Sequence, residues 1–369
     1  AGSMCAGARA FCGPVVFQPA PRPGGPAMCR AEACASAPKA GRALDAVCLQ
    51  VLRWGPAAVL GAHAAGVADL DALVMAVRAT LSGAAFFRSP MAEAYVAAFS
   101  FLGWIVLFSL ADALPGLARF RMVAFASDSK PAHIVLVHGL LIWATFLAIG
   151  EPFGRAIPSA ILAAHVLCAY FAGSLAVIRQ HDGMGWYTLR AYLQFMGYLA
   201  GIAVFHLFKT PSIAPWGDIS AWRLFGEVAF GIVAYDFLFS FLHYSMHHRC
   251  AKVVDHHQHH EITNFSRRLL AADTVNHGLL DFALQVGVNI VVQNIGLFGG
   301  PKHKLARFIH NIVVTGLLVE SHAGYDGFWS THRLYPGIFG GALRHVQHHT
   351  KGKGYYQQFF CYLDDFVFA

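Results

Sequence analysis

The sequence predicts an all-α protein: a multi-pass bundle of membrane helices with a helical, histidine-rich cap of cytosolic type. Three observations lead there. Hydrophobic residues fill 56% of the 369 positions and charged residues only 13%, against roughly 45–50% and about 25% in ordinary globular chains. Several apolar runs reach about 20 residues, the length that crosses a bilayer. Fifteen of the 21 histidines fall between His243 and His349. The aromatic share of 13% excludes disorder as a global description, because so many rings bury large areas. The net charge of +7 gathers into no basic stripe with interleaved aromatics, which argues against a nucleic-acid partner. Eight cysteines, five of them in the first 48 residues and none in a CxxC pair, argue against a disulfide scaffold and for a reducing or neutral compartment.

Residues 1–45 are rich in Ala, Gly and Pro, and basic residues such as Arg9, Arg22 and Arg30 outnumber the acids; they read as an N-terminal arm or transit-peptide remnant. Residues 46–90 alternate Leu49, Leu52, Leu70 and Leu73 with Arg53, Asp69 and Asp71, the pattern of interfacial amphipathic helices. Residues 91–220 hold the transmembrane helices, with spans at 93–111, 132–150, 156–178 and 188–208. Residues 221–369 form the histidine domain, which opens with a fifth apolar helix over about 221–248. Two further apolar runs, 281–298 and 305–321, carry Asn289, Gln293, His310 and Asn311 and read as short spans, re-entrant helices or part of the cap. Helix is the state that satisfies backbone polar groups in lipid. No internal repeat is evident. Arg249, Lys252, Arg267, Arg268, Lys351 and Lys353 lie in the polar parts of the C-terminal third, which places it on the cytosolic face, or on the matrix or stromal face of an organelle.

Three histidine clusters have regular spacing: His243 and His247 as HxxxH, then His256, His259 and His260 as HxxHH, then His345, His348 and His349 as HxxHH. Positions three and four apart share a helix face, so each cluster is expected to aim at one metal. A lone HxxxH is more often structural. Three such clusters are different, since every buried ring without a partner costs about 1–3 kcal/mol. Eight imidazoles exceed the four ligands of one zinc, so two metals are expected, of the kinds imidazole suits: Fe, Zn, Cu or Ni. No Glu-x-x-His pair of the carboxylate-bridged type is present, and a bis-His haem needs only two rings. His322 and His277 are further candidates to complete a metal shell or to hold a supporting hydrogen bond. Asp236 lies two helical turns before His243, and an acid inside an apolar helix is costly; hydrogen bonding to a ligand imidazole is its expected role, an ion pair the alternative. His248, His257 and His332 are expected to support or to face solvent.

These motifs resemble those of the fatty acid hydroxylase/sterol desaturase superfamily of membrane di-iron oxidases. The resemblance rests on Asp236-Phe237, His243/His247, His256/His259/His260, the segment His322-Ala-Gly-Tyr-Asp326 and His345/His348/His349, over roughly residues 225–350. Three positions depart from the family pattern: Tyr244 follows the first His where Arg is common, Ala323 stands for Ser, and Gly278 follows His277 where Pro is expected. The resemblance implies two Fe ions (Zn as isolated is possible), held by these histidines, with Asp236, Tyr325 and Asp326 as supporting residues. It implies O2-dependent hydroxylation or desaturation of a sterol or long-chain lipid drawn from the bilayer. Electrons would come from NAD(P)H through cytochrome b5 or a similar acidic carrier, and the endoplasmic reticulum would be the location. Sterols are favoured by the His322–Asp326 segment. Two other classes stand beside this reading. The transit-like N-terminus also suits an accessory subunit of a large complex in a mitochondrial inner or plastid membrane, and the ligand set alone also suits a di-zinc membrane hydrolase.

Overall fold

The computed structural model describes residues 39–88, 92–122, 216–254, 256–260, 269–275, 277 and 279–368. The expected spans at 132–150, 156–178 and 188–208, and most of the N-terminal arm, lie outside the described residues. Within them the regular structure is helical. In chain order the α-helices are α1 (Lys39–Ala64), α2 (Leu70–Gly83), α3 (Ala85–Arg88), α4 (Ala92–Ala113), α5 (Ala221–His248) and α6 (Ala251–Val254). There follow α7 (His257–His260), α8 (Leu279–Gln293), α9 (Lys304–His322), α10 (Thr331–Leu334), α11 (Gly341–Lys351) and α12 (Tyr362–Phe366). Short 3-10 turns occupy Pro115–Phe120 and Ala271–Val275.

Local chemistry sets the helix ends. Asp69 Oδ1 accepts from Ala72 N at 2.9 Å to start α2, and Ser220 Oγ accepts from Arg223 N at 3.2 Å to start α5, each satisfying an orphan first-turn donor. His303 caps α9 through Nδ1, which accepts from Leu305 N at 3.1 Å. After α9 the chain must turn sharply to bring the following segment back under α4. Gly324 makes that turn at φ +67°, where an added Cβ would meet Leu269 O at 3.2 Å.

Helix α9 is the axis of the domain and packs against α4, α5, α11 and the 271–275 turn. Its closest crossing is with α4: Trp104 Nε1 donates to Ile312 O at 2.9 Å, and a Cβ on Gly316 would lie 2.9 Å from the Trp104 indole. The core joins Tyr235 and Phe239 of α5, Val292 of α8, Val314 and Leu318 of α9, and Phe359. Tyr235 stacks on Phe239 at 5.8 Å and on Phe359 at 5.7 Å. Two buried charges of this core are paired, which offsets their desolvation: Arg307 meets Glu93 at 2.5 Å, and Glu227 accepts from Arg223 at 2.9 Å and from His303 N at 2.7 Å.

Among the described residues two helical stretches are long and apolar enough to cross a bilayer, Ala43–Ala64 and Ala221–His248. The first falls where interfacial helices were expected. It exposes Leu44, Val47, Val51 and Trp54, yet it is tied to the histidine domain: Arg53 donates to Leu334 O at 2.6 Å and Arg333 O at 2.7 Å, and the Tyr335 hydroxyl donates back to Arg53 O at 2.8 Å.

Candidate metal centre

Four elements bring the clustered rings together. Helix α5 ends with His243 and His247 one turn apart; His256 and α7 lie just beyond it; His322 closes α9; α11 carries His345, His348 and His349. The rings form two adjoining groups. Ligand nitrogens of His243, His247, His256, His260 and His348 lie within 4.8 Å of one another, and so do those of His259, His322, His345 and His349. The groups touch where the rings of His260 and His349 stack with centroids 4.3 Å apart.

This arrangement corrects the expectation that each cluster aims at one metal. Both HxxHH motifs are divided: His256 and His260 go to the first group and His259 to the second, while His345 and His349 go to the second and His348 to the first. The helix explains the division. Positions i and i+4 differ by only about 40° around the axis, whereas i+3 and i+4 differ by about 100°. One short helix therefore reaches to both sides.

Backbone carbonyls and one carboxylate orient the rings. His243 Nδ1 donates to Tyr356 O at 2.8 Å, His348 Nδ1 to Gly354 O at 2.6 Å, His322 Nδ1 to Leu318 O at 2.9 Å and His256 Nδ1 to Asp281 Oδ2 at 2.7 Å. A donor at Nδ1 leaves Nε2 of a neutral ring as the ligating lone pair. The Nε2 atoms face inward and meet one another: His243 with His256 at 3.1 Å, His247 with His348 at 3.1 Å, His259 with His322 at 3.0 Å. Imidazole nitrogens gathered this closely are a donor set that fits a metal. Two nitrogens each about 2.1 Å from one ion lie about 3.0 Å apart at a right angle and about 3.4 Å apart at the tetrahedral angle. Spacings of 3.0–3.1 Å are therefore of the size that rings sharing one ion adopt. Burial, and then the neighbouring imidazoles, push His259, His260, His345 and His349 well below the usual histidine range and His348 down to about 3. These five rings are thereby held in the neutral form, the form that binds metal.

Several sequence-predicted roles change. His277 turns Nδ1 to Asp281 at 2.9 Å and Nε2 to Thr274 O at 2.8 Å, and its ring stacks on His259 at 4.0 Å; it lies beside the second group and shares with His256 and Asp281 a third set of possible ligand atoms. Asp236 makes no hydrogen bond to a ring. It accepts from Gln357 Nε2 at 2.7 Å and from the backbone of Phe359 and Phe360 at 2.6 and 3.3 Å, pinning the segment that presents Tyr356 O to His243. Tyr325 donates to Asp112 at 2.7 Å, and Asp326 pairs with Arg333 at 2.5 Å and His332 at 2.9 Å. These two fasten the turn after His322 to α4 and α10 and do not touch the clustered rings. His248, as expected, supports from outside, on the Tyr356 hydroxyl at 2.9 Å. Asp281 was missed. Its signal was an acid four residues after His277, in the first turn of an apolar helix.

A cavity with largely apolar walls ends on both groups, at His243, His256, His259, His322 and His345. Its walls are helical stripes. Helix α9 gives Asn311, Val314, Thr315 and Leu318 before His322, α8 gives Phe282, Val286 and Asn289, and α5 gives Tyr235 and Phe239 before His243.

The chain is similar to proteins named for sterol hydroxylation. A cholesterol 25-hydroxylase-like protein of Danio rerio is 29% identical over 170 residues, 45% of this chain and 64% of that protein. Cholesterol 25-hydroxylase of Homo sapiens is 28% identical over 174 residues, 46% of this chain and 61% of the relative. The Mus musculus protein is 26% identical over 175 residues, 46% of this chain and 55% of the relative. The chain thus spans between about half and two thirds of the length of these relatives. No protein-family model matches it, and no solved structure does. This likeness, at modest identity and partial coverage, supports the fatty acid hydroxylase/sterol desaturase superfamily and an oxidoreductase of the lipid-hydroxylase kind.

Proposed function

We propose that this protein is a membrane-bound, O2-dependent hydroxylase that inserts oxygen into an unactivated C–H bond of a sterol, using two iron ions held by the two histidine groups. The observation that carries the reading is the meeting of nine imidazoles, in groups of five and four, at the end of an apolar cavity. His243, His247, His256, His260 and His348 would hold one ion, and His259, His322, His345 and His349 the other. When bound, such a pair supplies the reduction of dioxygen and the oxidising equivalent that breaks the C–H bond. The balance is one C–H bond, one O2, two electrons and two protons giving one alcohol and one water.

The chain's own residues do the rest. Asp281 and the carbonyls of Tyr356, Gly354 and Leu318 hold the rings in the ligating tautomer, so little reorganisation accompanies metal binding. Phe239, Phe282, Val286 and Leu318 exclude water and position an apolar substrate over the rings. Arg249, Lys351 and Lys353 are exposed beside the ends of α5 and α11 and suit an acidic electron carrier of the cytochrome b5 type, fed by a nicotinamide nucleotide. The endoplasmic reticulum is the proposed location.

The test is metal analysis and turnover of the purified chain in lipid nanodiscs with cholesterol, O2 and a reductase–cytochrome b5 system. Iron content with a hydroxylated sterol product is the expected result, lost in His259→Ala and His348→Ala. Product formation retained by both variants, or O2-independent hydrolysis by a zinc-loaded chain, would overturn the reading.

A further inference from the structure

The cavity that ends on the histidines is polar at its opposite end. There Asn289 Nδ2 donates to Asn311 Oδ1 at 3.0 Å and Gln293 Nε2 donates to the same oxygen at 2.9 Å. Asn289 Oδ1 in turn faces His310 Nε2 at 3.1 Å. In this arrangement the Asn311 oxygen takes both neighbours, and among the described residues its NH2 group makes no hydrogen bond. Asn311 is 4% exposed and lines the cavity. One turn along α9, Thr315 spends its hydroxyl proton on Asn311 O at 2.7 Å, so its oxygen can only accept from a group inside the cavity. A donor and an acceptor, one turn apart on one wall of a largely apolar chamber, complement one hydroxyl group, which both accepts and donates.

We propose that Asn311 and Thr315 form the polar-end subsite of this cavity, and that they recognise the lone hydroxyl of an elongated apolar substrate whose other end lies at the histidines. Helix α9 sets the distance. Asn311 and His322 stand eleven positions apart on one stripe, about 16 Å along the helix axis at about 1.5 Å per residue. That spacing suits a sterol lying lengthwise, ring hydroxyl at Asn311 and side-chain terminus at the rings, and it selects carbons remote from the hydroxyl for oxidation. The proposal rests on the lipid-hydroxylase reading for its reaction end, but the hydroxyl preference is a property of binding alone.

The test is equilibrium binding of tritiated cholesterol to the full chain in detergent, competed by unlabelled cholesterol or by its 3-deoxy analogue cholest-5-ene. The wild type should prefer the hydroxyl-bearing competitor by about tenfold or more, since the analogue leaves a buried donor and acceptor without partners. Asn311→Leu should reduce that preference to near unity while retaining affinity for cholest-5-ene. Thr315→Val, nearly isosteric and outside the amide chain, should lower it several-fold and serves if Asn311→Leu does not fold. Equal competition by the two sterols in the wild type, no saturable cholesterol binding, or an undiminished preference in Thr315→Val would overturn the proposal. Turnover separates the two claims. A hydroxyl preference without any hydroxylated product refutes the enzyme reading and leaves the subsite standing; product formation without a hydroxyl preference does the reverse.

Discussion

Asp281 offers the sharpest perturbation of the centre. Its Oδ2 accepts from His256 Nδ1 at 2.7 Å and from His277 Nδ1 at 2.9 Å, and its Oδ1 accepts from Gln285 at 2.8 Å. The side chain is fully buried. Asp281→Leu keeps the branched shape and the number of heavy atoms, at a larger volume, and removes every acceptor. His256 then has two courses. It keeps its proton on Nδ1 and leaves a buried donor unpaired, at about 1–3 kcal/mol. Otherwise the proton moves to Nε2 and the ring ceases to be a ligand. Either course falls on the first group, whose metal affinity should drop by about 10- to 100-fold, the usual cost of removing a partner behind a metal-bound histidine. At about 1.4 kcal/mol per decade that is about 1.4–2.8 kcal/mol, inside the range of one unpaired donor. Asp281→Asn keeps one acceptor oxygen and should fall between the wild type and Asp281→Leu. The assay is the metal-to-protein ratio after dialysis against graded chelator concentrations. A graded release, wild type last and Asp281→Leu first, is expected. Identical release curves for all three would show that the carboxylate does not support the ligand, and the assignment of His256 to a metal would lose its structural basis.

Further predictions address separate parts of the fold. His260→Ala should remove one of the two ions and His349→Ala the other, with the double variant metal-free by elemental analysis. Asp236→Asn should raise hydrogen-exchange rates at the Phe359 and Phe360 amides, because two backbone donors and Gln357 share its carboxylate; unchanged protection would remove its role as the pin of that segment. Gly316→Ala places a Cβ 2.9 Å from the Trp104 ring, and thermal denaturation should register about 1–3 kcal/mol of overpacking. Phe239→Ala opens the core beside the cavity and should cost about 3–5 kcal/mol; a loss under 1 kcal/mol, less than any estimate for such a truncation, would mean that the Tyr235–Phe239–Phe359 stack is not a packed core.

The clustering of the rings was legible and their supports were not. Histidine spacing marks helix faces, so the sequence singles out all eight clustered rings and His322, which the structure brings together, and the apolar stretch at 221–248 is indeed one helix, α5. What orients the rings is largely backbone. The carbonyls of Leu318, Gly354 and Tyr356 leave no residue signature, and the turn that delivers two of them depends on Gly352 and Gly354 at positive φ. Asp236 was rightly singled out as an acid in an apolar helix, but its partners lie more than 120 positions away in the chain. Tyr325 and Asp326 follow His322 so closely that proximity in sequence suggested proximity to the metal. The left-handed turn at Gly324 instead sends them away from the rings, toward α4 and α10. The division of each HxxHH between two groups was also in the sequence, since it follows from the helical angle, but it emerges only when a second helix faces the first with the same spacing.

That division couples the two ends of the cavity. Because α7 and α11 each reach both groups, neither group of rings can shift without the other, and the two together form one floor. Helix α9 then carries His322 in that floor and Asn311 at the far end, while α5 carries His243 and Tyr235 in parallel positions. The walls and the reacting end are therefore parts of the same helices, and the span between them is counted in residues. Inserting one helical turn between Asn311 and His322 would lengthen that span by about 5.4 Å, whereas substitutions on the wall would change its width and leave the length as it is. On the proposed hydroxylase reading, substrate length would be set by the helical register of α9, and substrate girth by the side chains facing it. Comparing product regiochemistry between wall variants and a register insertion distinguishes this arrangement from one in which the metals and the cavity are independently placed: only the insertion should move the site of oxidation along the substrate.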